Sequence, residues 1–225
     1  PSVAGPSSFG AARTLHGLAG WTVDVVTVDP EACALAADHC LDDYVRGGFG
    51  EILRVPAPGW ARNRVVRRGW MALAAASHVP DLWYLAGPLV TAARRLELGR
   101  YDALITWTQQ HASHLAGCRL RPFMTNARWL ARLGDPWSGI PFALRVPWGD
   151  AVDRLFEGRV FALADRIVFP SEEMRAYAMA AQPDAIAEKS AVLSHAYDES
   201  LYPRDSGSES RGGVYWVRCV GKHYG

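Results

Sequence analysis

The feature that most limits how this chain can fold is the run from Trp21 to Val28 (Trp-Thr-Val-Asp-Val-Val-Thr-Val), which is β-branched and almost continuously apolar. Such a run suits a strand buried on both faces, as in a parallel sheet covered by helices, and not the alternating pattern of a half-exposed antiparallel strand. The segment before it has helical spacing at Phe9, Ala12, Leu15 and Ala19, with Ser7 or Ser8 as cap and Gly20 as terminator. A loop, a helix and a buried strand form half of a β–α–β unit. The strand that completes it is expected before Pro1.

The alternation continues. Strands are predicted at 51–55, 101–107, 127–133, 165–169 and 190–194, and helices at 60–77, 88–98, 112–118, 150–163 and 171–181. Strands joined by helices through short loops predict an α/β fold with a doubly wound parallel sheet, whose ligands sit at the carboxyl ends of the strands. The polar stretch 203–213 reads as a linker, and 214–225 as the first strand of a further domain. The expectation is one domain over 1–202, truncated at both ends.

Composition removes several function classes. With 49% hydrophobic and 21% charged residues the chain can bury a full core, and a net charge of +1 gives no basic face for nucleic acid. Four cysteines without a Cys-x-x-Cys pair argue against zinc and against a disulfide framework, so no metal and no cofactor are expected and the cytoplasm is the default compartment. No Gly-x-Gly-x-x-Gly follows any predicted strand, which removes a nicotinamide dehydrogenase.

Several segments together resemble the N-terminal domain of family 4-like glycosyltransferases of GT-B architecture. They are Val3-Ala-Gly-Pro-Ser-Ser with Arg13, Tyr101-Asp-Ala-Leu-Ile-Thr leading into Ser113-His-Leu-Ala-Gly, and Trp129-Leu-Ala-Arg-Leu-Gly-Asp-Pro-Trp. Further along come Glu157 with Ala164-Asp-Arg-Ile-Val-Phe and Ser171, then Lys189 with Val192-Leu-Ser-His-Ala-Tyr-Asp and Leu201-Tyr-Pro, and last Val220-Gly-Lys-His-Tyr-Gly. The opening loop departs from the family in having one Gly followed by Pro where two glycines are usual. The resemblance implies a Rossmann-like acceptor-side domain and transfer of a sugar from a nucleotide-sugar donor to a saccharide or lipid-linked acceptor, with retention of configuration. Donor contacts would lie mostly in a second domain, and this stretch alone would be inactive. A non-catalytic carbohydrate- or nucleotide-binding module of the same fold is the alternative.

Sugar transfer builds positive charge on the ring and negative charge on the departing phosphate, so it calls for donors near the phosphate and a polar group near the acceptor hydroxyl. The loop at Gly5 and Ser7 opens a helix, where backbone N–H groups and the helix dipole favour an anion; a plain capping loop is the alternative. Arg13 enters as a substrate contact through the resemblance. His114 follows a strand at the ligand edge, and the resemblance favours it over His111; its alternative is a helix cap. Asp135 in the Asp-Pro-Trp turn can orient an acceptor hydroxyl or act as base, or can simply start the turn. Trp137 can stack on a sugar or fill the cleft floor. His195 suits a contact near the hinge, with a polar loop cluster as the alternative. Glu157 and Asp165 read as structural carboxylates.

The helix 60–77 carries Arg64, Arg67 and Arg68 with Trp60 and Trp70, which permits peripheral contact with anionic lipid at the inner membrane face. An interruption at Gly69 favours the other reading, a solvated face whose tryptophans reach the core.

Overall fold

The computed structural model describes residues 6–18, 20–29, 44, 49–56, 58–77, 83–108, 111–138 and 146–195. Helix α1 (Pro6–His16) leads to β1 (Val25–Val28), and β2 (Ile52–Val55) is followed by α2 (Gly59–Arg62), α3 (Arg64–Ser77) and α4 (Ala86–Ala93). Then come β3 (Ala103–Thr108), α5 (Ala112–Leu120), β4 (Arg128–Leu133), α6 (Gly149–Leu163), β5 (Arg166–Phe169), α7 (Glu172–Met179), α8 (Asp184–Ala187) and β6 (Ser190–Val192). The expected linker at 203–213 and the strand at 214–225 lie outside the described residues, as does Gly5.

Every strand pairing is parallel, as the continuous apolar runs require. Among the described residues the strands do not form one sheet, however. β1 and β2 pair with each other, and a separate four-stranded sheet runs in the order β3-β4-β5-β6.

Alternation along β3 assigns the helices to two faces. Thr106 points to α5, where a Cβ on Gly117 would lie 3.0 Å from its methyl group. Trp107 points the other way and meets α1, its Cζ2 lying 3.4 Å from where a Cβ on Gly10 would be. Layers on both faces are thus present, α1 on one and α5 on the other. The α5 face carries the main core, in which Trp129, Phe161, Ile167 and Phe169 are fully buried, and Phe161 meets Phe169 edge-on at 6.4 Å.

Carboxylates pin the strand edges. Asp165 accepts the Trp129 N–H at 2.8 Å and is flanked by Arg121 and Arg128 at 3.3 and 3.4 Å. Asp24, just before β1, accepts the Glu51 N–H at 2.6 Å and takes Arg100 and the Tyr101 hydroxyl from the approach to β3. The Tyr101 hydroxyl, then the Glu51 amide and Arg100, hold the Asp24 carboxyl below its usual pKa.

Two local expectations change. Ser7 lies within the first turn of α1, because the helix already starts at Pro6, a residue whose fixed φ and missing N–H suit a first helical position. Gly69 does not interrupt its helix; α3 runs through it from Arg64 to Ser77. The break falls at Asn63, whose Oδ1 accepts the Val65 and Val66 N–H groups at 3.0 and 3.3 Å and so caps α3. Trp60 and Trp70 meet edge to face at 5.6 Å, and Trp70 lies 5.9 Å from Trp83, so these rings cluster together. Among the described residues no helix is long and apolar enough to cross a membrane.

Candidate functional site

The carboxyl ends of β3 and β4 bring two functional-type side chains together on the α1 face. Trp107 and Arg132 are register partners, and the Arg132 guanidinium stacks 4.1 Å above the indole centroid. Arg132 is 4% exposed, and neither of its terminal nitrogens has a hydrogen-bond partner among the described residues. Burial pulls its pKa below the usual arginine value. A guanidinium stays protonated even so, and an unpaired buried cation costs several kcal/mol, of which the aromatic face returns only about 1–2. This arrangement suits an anion as the missing partner.

One of the expected contacts, His195, reaches the same place. His195, beyond β6, lies with its Nδ1 3.4 Å from where a Cβ on Gly10 would be, so the segment leaving β6 returns to α1 beside Trp107. Arg13 lies half-buried on the same helix. Ser7 is in the helix's first turn, at the positive end of its dipole.

His114 and Trp137 occupy the opposite face. His114 is fully buried inside α5 rather than capping it, and its Nδ1 lies 2.8 Å from Thr106 Oγ1, which also accepts the Trp129 indole N–H at 2.9 Å. His114 Nε2 has no partner among the described residues. Burial, assisted by the neighbouring His111, lowers the His114 pKa to about 3, and burial alone lowers that of His111 to about 4. Trp137 is 3% exposed and stacks on His111 at 3.8 Å and 7° between planes, with Phe156 in a nearly parallel plane at 6.4 Å. Its ring thus offers almost no surface to a sugar, and it fills the floor.

Asp135 stands exposed in the turn after β4, just ahead of two anchors. One is the Trp137–His111 stack. In the other, Ser138 gives its N–H and hydroxyl to the two Glu157 oxygens at 3.3 and 2.7 Å. Burial raises the Glu157 pKa, against the Ser138 bonds that lower it. Glu157 therefore holds the turn, and Asp135 is the group the turn presents.

Arg132 and Trp107 were missed by sequence reasoning, and His111 was set aside in favour of His114. For Arg132 a signal existed: a charged residue inside Trp129-Leu-Ala-Arg-Leu, a strand expected to be buried on both faces, is an anomaly that asks for a partner. Among the described residues no group of three or more His, Cys, Asp or Glu side chains is arranged to hold a metal ion. No protein-family model matches the chain, and no curated protein matches it either.

Proposed function

We propose that the chain is the acceptor-side domain of a glycosyltransferase, moving a sugar from a nucleotide-sugar donor to a saccharide or lipid-linked acceptor. One observation carries the reading: the buried Arg132 guanidinium at the carboxyl edge beside α1 and His195, neither of whose terminal nitrogens has a partner among the described residues. Its charge suits the phosphates of the donor, whose negative charge grows as the sugar departs. Asp135, exposed on its anchored turn, takes the acceptor hydroxyl proton or orients that hydroxyl. His114 is a positioning residue in this scheme, supporting the turn through Trp137. The likeness of the segments quoted above and the parallel α/β architecture add support.

The test is binding of UDP and GDP, followed by quenching of tryptophan fluorescence, in the wild type and in Arg132→Gln. Saturable binding weakened about tenfold or more by the substitution is expected, the loss of roughly 1.4 kcal/mol typical of a charge-assisted hydrogen bond. Equal affinity in both proteins overturns the assignment. The burial of His114 favours the second reading, a nucleotide-binding module without catalysis. That reading predicts the same binding but no loss of sugar transfer in the intact protein on Asp135→Asn.

A further inference from the structure

A cavity of about 750 Å³ separates β1 from β3, and among the described residues both strands turn an unpaired edge toward it. The backbone bonds identify which groups are involved. Val25 gives its N–H to Glu51 O at 2.8 Å and Asp29 to Val55 O at 2.9 Å, so odd-numbered residues of β1 address β2. The N–H and C=O of Val26 and Val28 therefore face away from β2. Likewise Arg128 bonds Asp102 O at 2.8 Å, so even-numbered residues of β3 address β4 and those of Ala103, Ile105 and Trp107 face away.

The cavity is roofed and floored as well. Ala11, Leu15 and Leu18, spaced as one helical stripe, line it from the α1 side, and Leu89 of α4 and Ala116 of α5 line it from the other. Buried backbone groups need hydrogen-bond partners. An apolar small molecule of this volume would leave both edges unpaired.

Crossover handedness says what belongs there. The connections β3-α5-β4 and β4-α6-β5 run along the sheet in one direction with their helices on the core face, whereas α1 lies on the opposite face. A right-handed crossover through α1 into β1 must then travel in the reverse direction, so the strand that precedes α1 lies on the β3 side of β1. That side is the cavity.

We propose that the cavity is the seat of one extended apolar strand, parallel to both β1 and β3, whose carboxyl end leads into α1 and which joins the two sheets into one of seven strands in the order β2-β1-new-β3-β4-β5-β6. The strand is apolar on both faces because α1 covers one and α4 and α5 the other. Asp24 marks its amino end, where the carboxylate spans to the Tyr101 hydroxyl and Arg100 from the opposite edge. This proposal does not depend on the glycosyltransferase reading.

The test fuses a segment of about six residues, Lys-Val-Val-Leu-Val-Val, to Pro1 through a four-residue Gly-Ser loop, and compares it with a control having proline at alternate positions. Amide hydrogen exchange is read at Val26, Val28, Ile105 and Trp107. The fusion is expected to slow these four amides by about 100-fold, the control to leave them unchanged, and Thr27, already paired with β2, to change less. Equal exchange in the fusion and the control overturns the proposal. So does strong protection of the four amides in the unextended chain, since the edges would then already be paired. Nucleotide binding by the unextended chain is a separate readout and tells failure here from failure of the proposed function.

Discussion

His111→Phe should flatten the acid sensitivity of this protein by the weight of one proton. Folding holds His111 neutral down to about pH 4 and His114 down to about pH 3, against an ordinary histidine value of 6.5. Between those limits the unfolded chain binds more protons than the folded one, so stability is complete above pH 6.5 and falls as the pH drops. Near pH 5 two such groups give a slope of about 2.7 kcal/mol per pH unit, and one gives about 1.4. By pH 4 the two together cost on the order of 6 kcal/mol, comparable to the whole stability of a small domain. Phenylalanine keeps the flat stack on Trp137 and removes His111 Nδ1, which has no partner to lose among the described residues. Urea unfolding at pH 7, 6, 5.5 and 5 should therefore show similar stability at pH 7 and roughly half the wild-type slope at pH 5. Carboxylates contribute equally to both proteins and cancel in the difference. Equal slopes, or a His111 NMR titration midpoint at or above 6.5, would refute the reasoning.

Three further substitutions test the packing. Gly117→Ala should destabilise by about 2–3 kcal/mol in urea unfolding, because its Cβ would lie 2.7 Å from Trp129 Cε2 and both Trp129 and Thr106 are fixed by their shared hydrogen bond. Asn63→Ala should cost about 1 kcal/mol and lower the helical circular dichroism signal, since it removes the cap that starts α3. Gly69→Ala should do the opposite, stabilising by about 0.5–1 kcal/mol, because the Cβ meets nothing within 4 Å and the helix is continuous there.

The strands were legible because burial on both faces writes a run of apolar residues into the sequence. β1, β2, β4, β5 and β6 all fall inside the expected segments, with ends trimmed by up to four residues, and β3 runs one residue past its expected end. Sheet order and the split between β1 and β3 were not legible, since pairing depends on which edges meet and no local pattern records that. The site was legible in part for a related reason. Position at a carboxyl edge is readable from a strand followed by a turn, and it led to Asp135. Which face a residue takes after the strand ends is not, and so His114 and Trp137 lie beneath the sheet while Arg132, one residue before the end of β4, carries the charge above it. The break in the basic helix was misplaced because glycine lowers helix propensity by only about 1 kcal/mol, whereas the Asn63 cap acts directly on the backbone N–H groups.

The strand seat and the anion seat adjoin, and this links the two proposals. α1 passes beside Trp107 at Gly10, and its first turn lies toward the carboxyl ends of the strands, so a strand in the cavity would connect to Pro6 by a loop crossing next to Arg132. Such a loop, at a helix start, would supply backbone N–H groups to the proposed anion, which Arg132 alone would hold by one side chain. The strand fusion should therefore tighten binding of inorganic pyrophosphate, by about tenfold if one or two charge-assisted hydrogen bonds are gained, and Arg132→Gln should remove most of that gain. Calorimetric titration of the fusion, its proline control and the Arg132 variant decides it. Tightening that survives the loss of Arg132 would place the anion elsewhere. Protection of the strand edges without any tightening would uphold the strand seat and remove the loop from the anion site.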